Sequence, residues 1–280
     1  MIQHLSFILK SIDNRPMAVD VTFNAALPIH KLALYAHGIS GFKDWGGMDL
    51  IARAFAEKGI AFVKFNFSKN GTTPDHLTDF VDLEAYGKDN YCQRQHDLDS
   101  MMDWIESETF PLKYSDVTLI GHSRGGVDML LFAANHKRGN RLITWAAPSN
   151  TKTPWSKWTE EQLEEWKREG VRYVKNGRTG QEMPIYYQLK RENELFGHEM
   201  NIAECASKVT VPWLIIHGSE DEAVPFSQAE DLKQYQPNAQ LVTIEKTGHT
   251  FGRKFPWTAP NLPEASEKLC EVSIGHINSN

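Results

Sequence analysis

Apolar and polar residues alternate strictly near the start of the chain, which indicates extended structure. Residues 5–9 carry an apolar side chain at every second position, and residues 17–23 form a second extended stretch. The turn-forming sequence Asp13-Asn14-Arg15-Pro16 separates the two stretches. The pattern therefore predicts an N-terminal β-hairpin, followed by a third strand over residues 31–35.

After Gly41 the apolar residues change to helical spacing, and helical and extended stretches then alternate. Apolar residues fall at helical spacing over 50–55, and they recur at i, i+3, i+4 and i+7 over 98–105 and 127–134. Extended, mostly apolar stretches follow them at 60–67, 116–120 and 141–147. The alternation resumes with a strand over 212–217, a helix over 226–235, a strand over 240–245 and a helix from 263. Such alternation predicts an α/β fold with a mostly parallel central sheet and helices on both faces.

Residues 148–211 interrupt this alternation. Thr159 and Gln162 have the spacing of a capping box, which predicts a polar helix that ends at Gly170. Residues 171–185 have the pattern of a small hairpin. Because this segment lacks enough apolar strands for a core of its own, we expect residues 151–206 to be a lid insertion after the sixth strand.

Composition narrows the classes of function. The chain has 36 acidic and 30 basic residues and a net charge of -6, which argues against a nucleic-acid partner and favours a neutral substrate. The longest apolar runs have only strand length, and the first ten residues form a poor signal peptide, so we expect a cytoplasmic protein without a membrane partner. The three cysteines, Cys92, Cys205 and Cys270, are expected to be free thiols. No phosphate-binding, dinucleotide-binding or zinc-protease motif is present, so neither a metal nor a cofactor is expected.

The sequence Gly121-His122-Ser123-Arg124-Gly125 lies directly between a predicted buried strand and a predicted helix. Gly-x-Ser-x-Gly in this context is the nucleophile elbow, a turn so tight that bulky side chains two residues from the serine are excluded. A serine at a helix start is also a common N-cap. The flanking glycines favour the catalytic interpretation, with Ser123 as nucleophile.

A serine hydroxyl needs a nearby base and a group that orients that base. Asp221 follows the strand over 212–217, and His249 follows the strand over 240–245. The order serine, acid, histidine along the chain suits a nucleophile elbow.

A length of 280 residues allows two domains, or one domain with an insertion. Ser123 precedes residues 151–206, whereas Asp221 and His249 follow them. The segments on either side must therefore join in one sheet, and we expect a single domain over 1–280.

Four sequence pieces together resemble the α/β-hydrolases, and specifically the bacterial serine esterases that include the cinnamoyl and feruloyl esterases. The pieces are His37-Gly38-Ile39-Ser40-Gly41, the elbow at 121–125, the spaced motif from His217 to Pro225, and Gly248-His249. They span nearly the whole chain except the insertion. The resemblance implies the α/β-hydrolase fold, with Ser123 as nucleophile, His249 as general base and Asp221 as orienting carboxylate.

The resemblance also implies two backbone N–H donors for an oxyanion hole, those of Ile39 and Arg124. The related feruloyl esterases commonly have an aromatic residue at the position of Ile39, so the shape of the acyl pocket is expected to differ here. Glu220 and Glu222 flank Asp221 and are expected to face solvent, because the spacing from Gly218 favours Asp221 as the catalytic acid. His37 and His122 are expected to have structural roles.

Three tryptophans of the insertion, Trp155, Trp158 and Trp166, are candidates for an aromatic acyl or alcohol pocket. The alternative is that they cover the underside of the lid. Arg178, in the turn of the predicted hairpin, has no assigned ligand.

We therefore expect a serine hydrolase that cleaves small carboxylic esters, aromatic or short-chain, through an acyl-serine intermediate. Haloalkane dehalogenase and epoxide hydrolase chemistry would require an aspartate at position 123 and is excluded. A peptidase or thioesterase on the same triad remains an alternative, as does a ligand-binding homologue without turnover. The sequence shows no apolar seam that predicts an oligomeric state.

Overall fold

The structure, a computed structural model, describes residues 1–279. Its strands are β1 (Ile2–Lys10), β2 (Pro16–Asn24), β3 (Lys31–Ala36), β4 (Ile60–Phe65), β5 (Asp116–His122), β6 (Arg141–Trp145), β7 (Val171–Lys175), β8 (Glu182–Tyr186), β9 (Trp213–Gly218) and β10 (Gln240–Ile244). Its helices are α1 (Met48–Ala56), α2 (Leu83–Gly87), α3 (Tyr91–Glu106), α4 (Arg124–Asn135), α5 (Glu160–Glu169), α6 (Gln188–Leu195), α7 (Ile202–Lys208), α8 (Ser227–Tyr235) and α9 (Glu264–Asn278).

A central sheet joins eight of the strands in the order β1-β2-β4-β3-β5-β6-β9-β10. The first two strands form the predicted antiparallel hairpin, and β2 also pairs antiparallel with β4. All other pairs in this sheet are parallel. The predicted α/β class and the mostly parallel sheet are therefore confirmed.

Helices cover both faces of the sheet because its inner strands are apolar on both sides. In β3, Leu32 and Leu34 belong to a core that also includes residues of α3, α4 and α8. Ala33 and Tyr35, which alternate with them, belong to a second core with residues of α1 and α9. This alternation follows from the two-residue period of a strand.

The segment between β6 and β9 leaves the sheet and returns to it, because these two strands pair directly, with Ile143 opposite Leu214. Its helix α5 begins with the predicted capping box: Thr159 Oγ1 accepts from Gln162 N, and Gln162 Oε1 accepts from Thr159 N. Strands β7 and β8 form a separate two-stranded sheet, the predicted hairpin. Helix α2, which was not predicted, packs against β8. Its five residues are too few to show a period.

The glycines around Ser123 leave no room for a side chain. A Cβ at Gly121 would lie 2.1 Å from the carbonyl oxygen of Gly125, and a Cβ at Gly125 would lie 2.3 Å from that of Ala36. Helix α4 thus packs directly on the backbone that follows β3. The turn can form only because both positions are glycine.

We predict that Gly125→Ala destabilises the fold by about 3 kcal/mol or more, because backbone atoms must move to admit the methyl group. Urea denaturation measures the change. Gly275→Ala is the matched control, since nothing lies within 4 Å of its Cβ position and it occupies the interior of α9. The control is expected to gain up to about 1 kcal/mol. Equal stabilities for the two variants would contradict the packing argument.

Candidate active site

Ser123 lies at the turn between β5 and α4, with a strained backbone conformation. Its φ is 55° and its ψ is -126°, a region that L-residues rarely adopt. The Ser123 N–H donates to the carbonyl oxygen of Trp145 at 2.8 Å, which ties the turn to the neighbouring strand β6. The structure thus holds this serine at the carboxyl end of the sheet, where strained residues commonly serve a function.

Asp221 and His249 come together from the turns after β9 and β10. His249 Nδ1–H donates to Asp221 Oδ2 at 2.8 Å, which leaves His249 Nε2 as the unprotonated nitrogen of the neutral ring. The other carboxylate oxygen accepts the N–H groups of Ala223 and Val224, at 2.9 and 2.8 Å. Burial of Asp221 opposes its ionisation, but hydrogen bonds from His217 and His249 outweigh this and hold its pKa well below the usual range.

His217 is a member of this group that the sequence did not single out. Its Nε2 lies 3.2 Å from Asp221 Oδ2 and donates to the carbonyl oxygen of Val224 at 2.8 Å. The side chain of His217 is fully buried. The only signal for it in the sequence is its place at the start of the motif from His217 to Pro225. It braces the turn that carries Asp221.

Ser123 and His249 line the same cavity, although no hydrogen bond joins Ser123 Oγ to His249 within residues 1–279. Such contacts are often longer before substrate binds. His122 Nε2–H donates to the carbonyl oxygen of His249 at 2.9 Å and so holds the histidine loop. Burial keeps the pKa of His122 well below its usual value, so this ring stays neutral.

Ile39 and Arg124 occupy positions suited to oxyanion donors. Ile39 lies in the loop after β3 and lines the cavity, whereas Arg124 is the first residue of α4, where backbone N–H groups lack helical acceptors. His37 braces the loop: its Nδ1–H donates to the carbonyl oxygen of Gly38 at 2.8 Å, and its Nε2 accepts from Phe67 N at 3.4 Å. Burial lowers the pKa of His37 to about 3, which keeps it neutral.

The cavity at Ser123 has a volume of about 450 Å³. The insertion contributes four residues to its wall, from a short stretch after β6. The full lining is Tyr35, His37, Gly38, Ile39, Ser40, Gly41, Trp45, His122, Ser123, Thr153, Pro154, Ser156, Lys157, Ala223, Val224, His249 and Thr250.

The three tryptophans proposed as substrate contacts do not line this cavity. Trp166 is fully buried and donates its indole N–H to the carbonyl oxygen of Ile185 at 2.6 Å. Trp155 and Trp158 pack against it, with ring centroids at 5.7 and 5.0 Å. The insertion has few aliphatic residues, so these indoles supply its small core. The three side chains pack against one another instead, and the alternative, that they cover the underside of a lid, stays a prediction.

Arg178 fastens the hairpin of the insertion to the rest of the molecule. Its Nη2 donates to the carbonyl oxygen of Thr78 at 2.9 Å. Its guanidinium also lies over the rings of Phe255 and Phe42, at 5.1 and 5.4 Å from their centroids. These contacts give the residue a structural role.

A buried ion network lies behind the elbow. Arg94 donates to Asp89 at 2.6 Å and to Asp128 at 2.8 Å, and all three side chains are almost fully buried. Arg124 extends the network to Asp89 at 3.5 Å. Arg94 also donates to the carbonyl oxygen of His37 at 3.3 Å, so the network connects α4 to the oxyanion loop. In the sequence, this ion network was indicated only by charged residues on the apolar face of α3.

A larger cavity of about 880 Å³ lies elsewhere, between α3, α4 and α6. Its wall includes Cys92, but burial and the neighbouring Glu192 raise the pKa of this thiol far above its usual value. A thiol in that state is a poor nucleophile. The candidate catalytic residues Ser123 and His249 line the smaller cavity.

Neither a metal site nor a membrane-spanning helix is found in residues 1–279. Within this range, no group of three or more His, Cys, Asp or Glu side chains is arranged to hold a metal ion. None of the helices in the same range is long and apolar enough to cross a bilayer.

Comparison with known sequences gives the family. A sequence model of the Prolyl oligopeptidase family matches residues 52–256, which is well over half of the chain. The chain belongs to this family. The chain is also similar to the AB hydrolase superfamily protein YisY of Bacillus subtilis strain 168. The two are 24% identical over 195 residues, which cover 60% of this chain and 73% of the relative.

Solved structures show the same fold. Est1E from Butyrivibrio proteoclasticus superposes with a TM-score of 0.70 at 17% identity, covering 98% of this chain and 99% of that one. The esterase domain of a Rhodothermus marinus protein superposes with a TM-score of 0.64 at 19% identity, covering 98% and 97%. The predicted α/β-hydrolase fold is therefore confirmed, and family and fold together make this member of the prolyl oligopeptidase family a hydrolase.

We predict that Asp89→Asn costs about 3 to 5 kcal/mol of stability, because it removes a buried counter-charge from Arg94 and Arg124. The free energy of unfolding in urea measures the loss. Asp103→Asn is the control: its carboxylate also pairs with an arginine, Arg138 at 2.8 Å, but its side chain is 72% exposed. It should change stability by less than about 1 kcal/mol. A similarly small loss for Asp89→Asn would contradict a structural role for the network.

Proposed function

We propose that the protein is a serine hydrolase that cleaves small carboxylic esters through an acyl-serine intermediate. The observation that carries this proposal is the 2.8 Å hydrogen bond between His249 and Asp221, at a cavity that Ser123 also lines. Nucleophile, base and orienting acid thus come from three different turns at one edge of the sheet. This is the arrangement that acyl transfer by serine requires.

In the first half of the reaction, Ser123 Oγ attacks the ester carbonyl while His249 Nε2 takes its proton. Asp221 keeps the proton of the neutral ring on Nδ1 and stabilises the imidazolium that forms. The strongly lowered pKa of Asp221 ensures that it stays ionised throughout. His249 then donates its proton to the leaving alcohol, and the acyl group remains on Ser123.

In the second half, water replaces the alcohol. His249 removes a proton from this water as the water attacks the acyl-serine. His249 then donates that proton to Ser123 Oγ, the bond between the acyl carbon and Ser123 Oγ breaks, and the carboxylic acid is released. The backbone N–H groups of Ile39 and Arg124 would stabilise the oxyanion in both halves. Each such donor is worth about 3 kcal/mol in related systems. These steps need only side chains, backbone and water.

The size of the cavity supports a small substrate. A volume of about 450 Å³ suits an ester of modest size, and residues 153–157 of the insertion cover one side of it. Residues 151–206 would thus act as a lid within a single catalytic domain. A structure of Est1E with bound ferulic acid superposes with a TM-score of 0.71 at 16% identity, and on that basis we include aromatic acyl esters among the candidate substrates.

We predict that Ser123→Ala abolishes hydrolysis of p-nitrophenyl butyrate and covalent labelling by a fluorophosphonate probe. Without its hydroxyl, the residue has no atom for either reaction. Ser100→Ala, on α3 outside the site, should retain both. Labelling of the Ser123→Ala variant would contradict this assignment. Inactivity of the unaltered protein on all p-nitrophenyl esters tested would instead favour a ligand-binding homologue.

Peptide hydrolysis is the second candidate, because the matching family is described as prolyl oligopeptidase. Amides, thioesters and esters share the acyl-serine route and differ mainly in their leaving group. Comparing a proline p-nitroanilide peptide with p-nitrophenyl butyrate separates the two activities. We expect kcat/KM for the ester to be larger by at least about 100-fold. A larger kcat/KM for the peptide would replace the esterase assignment.

A further inference from the structure

The charge around the catalytic cavity differs from that of the whole chain. The chain carries a net charge of -6, yet no Asp or Glu of residues 1–279 lines this cavity. Lys157, an exposed residue of the insertion, stands at its wall. Apart from Asp221, which lies behind His249, the charged residue at this cavity is the positive Lys157.

Arg253, four residues after His249, is buried behind this cavity without a counter-ion. Its exposed fraction is 3%. Nε donates to the carbonyl oxygen of Thr250 at 3.2 Å, and Nη1 lies 3.0 Å from Met48 Sδ, a weak acceptor. Nη2 is buried and has no hydrogen-bond partner among residues 1–279, and no carboxylate of that range lies within 4.0 Å of the guanidinium.

The groups around Arg253 supply no negative charge. Burial raises the pKa of Tyr35 to about 12, although the nearby positive charge of Arg253 acts to lower it. Burial likewise raises the pKa of Cys270 to about 12. Burial lowers the pKa of Arg253 itself, but a guanidinium remains protonated in proteins. A buried, permanent and uncompensated charge is costly, in contrast to that of Arg94, which has two carboxylate partners.

Three residues of the cavity wall also lie around Arg253: Tyr35, Trp45 and Thr250. Thr250 lines the cavity and is joined to Arg253 by hydrogen bonds, including one from its Oγ1 to the Arg253 carbonyl oxygen at 2.7 Å. Trp45 lines the cavity, and its ring centroid lies 6.0 Å from the guanidinium carbon. Tyr35 also lines it, and its hydroxyl has no hydrogen-bond partner among residues 1–279. Arg253 therefore contacts side chains and backbone that themselves line the cavity.

We propose that the catalytic cavity selects esters that carry a free carboxylate, held at the Tyr35 hydroxyl and stabilised by the charge of Arg253 behind it. The inference rests on the proposed esterase function and specifies its substrate class. Tyr35 donates the direct hydrogen bond, and the substrate brings the counter-ion that the protein lacks. Lys157 adds positive charge at the rim.

Two pairs of matched substrates test this inference. The first pair places the charge in the acyl group: mono-p-nitrophenyl glutarate against p-nitrophenyl glutaramate, in which a neutral amide replaces the carboxylate. The second pair places it in the alcohol: 4-(butyryloxy)benzoate against 4-(butyryloxy)benzamide. The measurement is kcat/KM after subtraction of spontaneous hydrolysis. We expect the carboxylate to be preferred by about tenfold or more in one pair, since opposite charges roughly 10 Å apart attract to this extent at an effective dielectric constant of about 20.

Variants identify the source of the preference. Arg253→Met, which keeps the volume and removes the charge, should reduce the ratio within the preferred pair to near one. Tyr35→Phe should reduce it by a smaller factor. Arg53→Met is the control: it removes one positive charge from an exposed position on α1, where Arg53 pairs only with Glu57, and should leave the ratio unchanged.

Stability gives an independent measurement. Replacing an unpaired buried charge with an apolar side chain should leave the Tm of Arg253→Met unchanged or higher. A preference for the carboxylate that Arg253→Met abolishes supports the inference. Equal rates within both pairs would overturn it while leaving the esterase function intact, because hydrolysis of all four esters would still be seen. No hydrolysis of these esters or of p-nitrophenyl butyrate would overturn the proposed function itself.

Discussion

The close approach of the elbow to strand β3 is the constraint on which the site depends. Helix α4 starts so near the backbone after β3 that Gly121 and Gly125 admit no side chain. This contact brings Ser123, at the turn, beside the loop that holds Ile39. The same geometry leaves the first N–H groups of α4 free to serve as donors. One backbone contact thus places both the proposed nucleophile and the loop proposed to supply an oxyanion donor.

Two kinds of buried charge lie around this arrangement. Behind the elbow, Arg94 is compensated by Asp89 and Asp128, and its bond to His37 fastens the oxyanion loop. Beside the histidine loop, Arg253 has hydrogen bonds but no carboxylate partner among residues 1–279. The first network balances its charges within the protein, which suits a structural role. For the second, we propose that a substrate carboxylate supplies the missing charge.

The insertion is fastened to the domain at points far from the cavity. Glu192 of α6 accepts the N–H groups of Tyr91 and Cys92 at the start of α3, at 3.0 and 2.9 Å. A carboxylate at this helix end is favoured by the free N–H groups and the helix dipole. Arg178 holds the hairpin of the insertion at another point. Residues 153–157 can therefore cover the cavity while indole packing stabilises the insertion itself.

Local patterns in the sequence determined the class of fold and the candidate triad. Strand and helix periods, the capping box at Thr159 and the glycines around Ser123 are properties of short segments, so they can be seen before the chain is folded. The order of Ser123, Asp221 and His249 was also visible, because each follows a recognisable strand. The strand and helix periods, the capping box and the elbow glycines all depend on local backbone geometry, which residues close together in the sequence determine.

The side chains that surround Ser123, Asp221 and His249 became known only from the tertiary structure. The bracing of Asp221 by His217, the packing of the tryptophans within the insertion and the isolation of Arg253 depend on contacts that no local period encodes. Arg253 and Tyr35 are separated by most of the chain, yet Tyr35 lines the cavity and Arg253 is buried beside Thr250, another residue of its wall. Whether a buried charge is paired depends on which distant side chains folding brings within a few ångströms, and that information exists only in three dimensions.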